Sequence, residues 1–177
     1  LLIVKNYTGD RLNFSLTAEL AQADGIPCEI VFVADDAGLR NLVARDRRRG
    51  LARTVLIHKL AGAAAAAGKP LAEIAQIARD AAEDLVTMGV GLGACIVPTA
   101  GQPSFELGAD EVEFGLGIHG EKGVECGPTA SSAEIVARIL DTLEAELGDR
   151  LKGPVGLLVN GPGATPPLDL RSSQVMR

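Results

Sequence analysis

The stretch "LLIVKNYTGDRLNF" (residues 1–14) sets the reading of the fold. Leu1–Val4 is a short aliphatic run of the buried-strand kind. Residues 11–24 then place Leu12, Leu16 and Leu20 at i, i+4 spacing, a helical stripe closed by Gly25 and Pro27. Between strand and helix lie Lys5, Asn6, Tyr7, Thr8, Gly9 and Asp10, in a loop leaving the C-terminal end of a strand, where open α/β sheets bind ligands. With one glycine and no G-K-[ST] ending, the loop is not a phosphate-binding loop. Asp10 sits where a helix N-cap is favoured, and it is also a carboxylate at a strand end. The two roles are compatible, because a capping carboxylate keeps a second oxygen and the helix dipole favours its ionised form. An aliphatic run at the first residue is a core strand without its approach loop, so the chain reads as a fragment of a longer protein.

The alternation continues outward from there. Cys28–Val33 is a β-branched apolar run broken by "ADDAGL", and residues 53–58 ("RTVLIH") form a further strand candidate. The basic run within residues 41–50 reads as a solvated helix end or loop in a chain that is acidic overall. Residues 61–89 are Ala-rich and helical, split in two by Gly68 and Pro70. Ala94–Val97 and 154–161 ("PVGLLVNG") are strand candidates. Ser131 or Ser132 caps a helix with Ile135, Ile139, Leu143 and Leu147 on one stripe, ended by Gly148. Strand–helix alternation of this kind predicts an α/β protein with largely parallel pairing. The Gly-rich stretch near residues 89–103 is the natural boundary region, and no internal repeat interrupts the pattern.

Composition narrows the function. The 177 residues carry a formal charge of −6 and only 3% aromatic residues, which argues against nucleic acid as a partner. No apolar run reaches the length of a membrane span. Cys28, Cys95 and Cys126 are odd in number and widely spaced, as expected of reduced thiols in a cytoplasmic protein. Two histidines without ligand spacing do not make a metal site.

The sharpest chemical feature is "EVEFGLGIHGEKG" (residues 111–123). Read as a strand over Glu111–Ile118, it points Val112, Phe114, Leu116 and Ile118 into the core. Glu111, Glu113, Gly115, Gly117 and His119 then share the other face, which leaves open space beside the His119 imidazole. A structural role and a functional role both remain available to His119 on this pattern. His58, at the end of an apolar strand, reads as a satisfied or supporting histidine.

Together, residues 1–14, "TVLIHKLAGAAAAAG", "MGVGLGACIVPTAGQPSFELG" and "EVEFGLGIHGEKGVE" resemble the substrate-binding K subunit or domain of dihydroxyacetone kinases, in order from residue 1 to about residue 160. The resemblance implies two α/β domains of that type, a truncated first one over 1–84 and a second over 85–177 that is short of elements at its C-terminus. It implies a kinase of glycerol metabolism, usually a homodimer, in which His119 attacks the ketone of dihydroxyacetone and forms a covalent hemiaminal. Asp10 would contact a terminal hydroxyl and help remove its proton, and Lys5 would contact the substrate, which is bound across the two domains. No cofactor is expected on this chain. The phosphoryl donor, ATP-Mg or a phosphorelay, would be held by a separate L-type domain or subunit. The family also has an upstream part with a second active-site histidine, so this chain is expected to be inactive alone. A non-catalytic dihydroxyacetone sensor of the same ancestry is the alternative. It would keep His119 and need no donor.

Overall fold

The computed structural model describes residues 1–93, 99, 101–103, 106–161, 165 and 170. The chain divides into two compact units, Leu1–Asp36 with Arg40–Thr87, and Ala37–Leu39 with Met88–Arg177.

In the first unit, β1 (Leu2–Lys5) and β2 (Ile30–Val33) pair in parallel, Ile3 opposite Val31 and Val4 opposite Phe32. The helix α1 (Thr8–Ala23) connects them, the crossover that a parallel pair requires. On one face, Val31 and Val33 pack with Ile57, Ala61, Ala64, Ile74 and Ala78. Those last five come from α2 (Thr54–Ala66) and α3 (Leu71–Asp84). On the other face the Arg11 guanidinium of α1 lies over the Phe32 ring, 4.2 Å from its centroid. Helices therefore cover both faces, the α/β arrangement the alternation predicts.

Two readings of the sequence are corrected in this unit. Residues 53–58 are not a strand, because α2 begins at Thr54. Its buried residues Thr54, Ile57, Ala61 and Ala64 fall at helical spacing, and a short apolar run cannot by itself distinguish strand from helix. Asp10 is not the cap of α1. The N-cap is Tyr7, and Asp10 lies in the first turn, where its charge favours the helix through the dipole without a capping bond. The Leu12, Leu16 and Leu20 stripe is helical as read, yet all three stay 56–68% exposed, and Ala18 is the buried residue of α1. The break between α2 and α3 falls over Ala67–Pro70, as the glycine and proline predict.

In the second unit, β3 (Val90–Gly91), β4 (Glu111–Phe114) and β5 (Glu125–Pro128) form an antiparallel sheet, so among the described residues the expected parallel pairing is found in the first unit. The helix α4 (Ser132–Leu147) starts with the expected cap: Ser131 Oγ accepts the Glu134 N–H, and the Glu134 carboxylate accepts the Ser131 N–H. Arg138 of α4 lies 3.9 Å from the centroid of the Phe114 ring and pairs with Glu125, tying the helix to the sheet. Residues 154–161 form no strand. The candidate at Ala94–Val97 lies outside the described residues. Among the described residues no helix is long and apolar enough to cross a membrane.

Candidate active-site residues

Lys5 ends β1 and Asn6 follows it, so both leave the sheet at the C-terminal end of the strands. There the backbone of residues 45–53 meets the sheet ends, and the basic run is solvated only in part: Asp46 and Arg47 are exposed, whereas Arg48 and Gly50 are buried. Asn6 Nδ2 donates to the carbonyls of Asp46 (2.9 Å) and Arg48 (2.7 Å), and its Oδ1 accepts from Arg11 Nη1 (2.7 Å). A Cβ on Gly50 would stand 2.4 Å from the Val33 carbonyl oxygen and 2.9 Å from Lys5 Cα, so only glycine fits this close backbone approach.

Two buried acids after β2 complete the frame. Asp35 accepts the Leu51 N–H at Oδ1 (2.6 Å), and the Arg53 N–H (3.4 Å) and the Thr87 hydroxyl at Oδ2. Asp36 pairs with Arg49. Lys5 Nζ donates to the Leu51 carbonyl. Burial pushes the Lys5 ammonium below its ordinary range, and attraction to Asp35 and then Asp10 offsets part of that. Burial also lowers Arg53 to about 10, with Asp35 acting against it and Arg45 reinforcing it. Asp10, half-buried in the first turn of α1, thus shares an electrostatic neighbourhood with Lys5.

His119 belongs to the second unit, and its surroundings differ from the strand reading. Strand β4 ends at Phe114, because Gly115 takes a left-handed conformation (φ +73°) that breaks the pleat. Alternation of faces therefore does not extend to His119, which sits on a turn with its side chain 59% exposed. The space at Gly115 is not open either: a Cβ there would meet Val124 Cγ2 at 2.8 Å. Glu113, placed by the pattern on the outer face, is buried and uses Oε1 to accept the Gly123 N–H at 2.7 Å. Two backbone bonds close the loop, Gly115 N to Gly89 O (2.8 Å) and Val124 N to Phe114 O (2.8 Å).

Within this frame Glu121 is a partner of His119. Its Oε2 accepts the His119 backbone N–H at 2.9 Å, and its Oε1 lies 3.2 Å from the imidazole Nδ1. The Gly117 N–H donates to the Glu121 carbonyl at 3.2 Å, which closes the turn. Burial raises the Glu121 carboxyl, but hydrogen bonds from backbone N–H groups and the imidazole outweigh it and hold the group below its usual range. His58 is not at a strand end. It lies on α2 with Nδ1 2.7 Å from the Thr54 carbonyl, one turn back. Among the described residues no cluster of three or more His, Cys, Asp or Glu could hold a metal ion.

The sequence reading missed Asp35, Asp36, Gly50 and Glu121. "ADDAGL" was legible only as a strand breaker, though paired acids at a strand's C-terminal end were the available signal. Glu121 is two residues from His119, but nothing in the pattern says which way either side chain turns.

The family model described as the Dak1 domain matches residues 1–174. The chain is 45% identical over 166 residues to the PTS-dependent dihydroxyacetone kinase 1, dihydroxyacetone-binding subunit DhaK, of Listeria innocua, covering 94% of this chain and 50% of that protein. It is 55% identical over 141 residues to the triokinase/FMN cyclase of Homo sapiens, covering 80% of this chain and 24% of that one. The solved structure of the dihydroxyacetone kinase operon co-activator Dha-DhaQ matches with a TM-score of 0.87 at 32% identity, over 97% of this chain and 53% of its own. The chain thus spans about half the length of the Listeria relative and of the co-activator.

Proposed function

Because the chain belongs to the Dak1 domain family, we propose that it is part of the dihydroxyacetone-binding component of a dihydroxyacetone kinase and holds its substrate covalently on His119. The observation that carries this reading is the exposed His119 imidazole in the "GIHGE" turn, with Nδ1 against a carboxylate. A neutral imidazole is a nucleophile toward ketones and aldehydes, and a polyol such as glycerol offers no carbonyl to attack. Adduct formation therefore separates a ketone from its reduced counterpart.

In this reading Asp10 orients the primary hydroxyl of the substrate and accepts its proton as phosphate transfers, and Lys5 contacts the substrate. The phosphoryl donor is held by a separate L-type domain or subunit, and the component works as a homodimer. A second reading is favoured by the likeness to the operon co-activator Dha-DhaQ: a sensor that binds dihydroxyacetone on His119 and regulates a partner without phosphoryl transfer.

Intact-protein mass spectrometry of the chain with dihydroxyacetone, and in parallel with glycerol, tests the shared premise. The expected result is a gain of one intact dihydroxyacetone, none with glycerol, and none in His119→Ala. An adduct that persists in His119→Ala overturns the assignment. A phosphorylation assay with and without an L-type partner separates kinase from sensor.

A further inference from the structure

Lys5 and Asp35 are connected through one stretch of backbone in the first unit. Asp35, just past the C-terminal end of β2 and only 3% exposed, accepts the Leu51 N–H at Oδ1 (2.6 Å) and the Arg53 N–H at Oδ2 (3.4 Å). The Leu51 carbonyl lies between those two N–H groups along the chain, and it is the acceptor of the Lys5 ammonium. Holding N–H groups two residues apart on one carboxylate restricts the few soft dihedral angles between them, and so fixes where that carbonyl points. Asp35 is itself held twice by Thr87, whose hydroxyl donates to Oδ2 and whose N–H donates to the Asp35 carbonyl at 2.7 Å. With three donors on its two carboxylate oxygens and almost no exposure, Asp35 is placed to organise its neighbours and not to touch a substrate.

We propose that Asp35 is a positioning residue for Lys5: acting through Leu51, it aims the ammonium so that its remaining N–H bonds reach an oxygen of the substrate, and it supplies a counter-charge that substrate binding does not consume. This rests on the reading of Lys5 as a substrate contact given above. An ammonium has three N–H donors, and the Leu51 carbonyl takes one of them. Among the described residues Lys5 has no other hydrogen-bond partner, and it is half-buried at the strand ends. Burial disfavours its charged form; of the charged groups that act on it, Asp35 opposes burial most and Asp10 next. Asp10 is the carboxylate assigned to the substrate hydroxyl, which leaves Asp35 as the permanent partner in charge. A lysine side chain loses rotamer freedom when it binds, so a residue that fixes Nζ beforehand lowers that cost.

Trace acetylation across a pH series, read by peptide mass spectrometry, reports the titration of Lys5 in the ligand-free chain. Removing the charge in Asp35→Asn should shift that titration to lower pH, because an attraction that favours the ammonium is lost. A purely structural role gives the opposite sign, since a loosened backbone lets water reach Lys5 and returns it toward its ordinary range. Thr87→Val is the control: it removes a donor from Asp35 and keeps the charge, so Lys5 should titrate no lower than in the wild type. The dihydroxyacetone concentration for half-maximal adduct should rise about tenfold in Asp35→Asn, the size of one hydrogen bond to a charged group. The wild type supplies a test that needs no variant, because the Leu51 amide should exchange its hydrogen as slowly as the amides of β2. Four results each overturn the proposal: a Lys5 titration unchanged or raised in Asp35→Asn, an equal fall in Thr87→Val, an unchanged half-maximal concentration, or a Leu51 amide that exchanges as freely as an exposed loop. If Lys5 titrates as stated and the wild type forms no adduct, the substrate reading fails while the positioning of Lys5 by Asp35 stands.

Discussion

One carboxylate oxygen of Asp36 accepts a hydrogen bond from Arg49 Nε at 2.7 Å and lies 2.6 Å from Arg49 Nη2 in an ion pair, and the Asp36 side chain has no exposed surface. Breaking such a pair from one side leaves a charge in a poor solvent for it. Arg49→Ala is expected to lower the unfolding free energy by about 3 kcal/mol. Asp36→Ala should cost less, because the Arg49 side chain keeps 13% exposure and can turn toward water. Removing both should cost less than the sum of the single losses. Urea unfolding of the three variants measures the coupling.

Gly50→Ala tests the frame around Lys5. The new Cβ would press on the Val33 carbonyl and on the backbone of Lys5 and Asn6. None of these can rotate away as a side chain would, so the expected loss is about 3 kcal/mol, the upper end of overpacking costs. Far-UV circular dichroism in urea reads it.

Gly123→Ala acts on the other unit. A Cβ there would fall 2.5 Å from both Glu113 Cγ and the Phe114 carbonyl oxygen. The loop that carries His119 must shift, and a displaced nucleophile reacts slowly. Adduct formation on His119 should fall about 10²-fold, as measured by the time course of the mass gain.

Acid should loosen the His119 turn in a defined direction. The folded Glu121 carboxyl lies below its unfolded value of 4.5, so its contribution to folding is fully present above that value. It is lost as pH falls through the folded value. Hydrogen exchange of the His119 amide should therefore lose protection on acidification, beyond the intrinsic change in exchange rate, and in Glu121→Ala that extra loss should be absent.

Asp10→Asn separates binding from transfer. The amide cannot take up the hydroxyl proton, so phosphoryl transfer in the presence of an L-type partner and donor should fall about 10²-fold. The covalent adduct on His119 should still form. Equal loss of both would show that Asp10 is needed for binding.

Parts of this architecture follow from residues read in order. The β1–α1–β2 unit, the break between α2 and α3 at Gly68 and Pro70, and the Ser131–Glu134 capping box are all local, set by side-chain period, backbone restriction and bonds three residues long. The motifs around Lys5, Asp10 and His119 were equally legible, because they are short and contiguous.

What lay out of reach depends on contacts distant in the chain. Residues 53–58 look like a strand until Ile57 and Ala61 are seen packing on Val31 and Val33. Gly50 is a plain loop glycine until the chain brings it against Lys5 and Val33, and Asp35 gains its meaning from Leu51 and Thr87. Sequence alone therefore determined the alternating elements and the chemical groups available to them. Tertiary structure decided which polar groups are buried and which atoms of them face one another. A loop's backbone angles, such as the left-handed turn at Gly115, and the desolvation of a carboxylate such as Glu113 are set by residues far along the chain. Side-chain period carries no record of them.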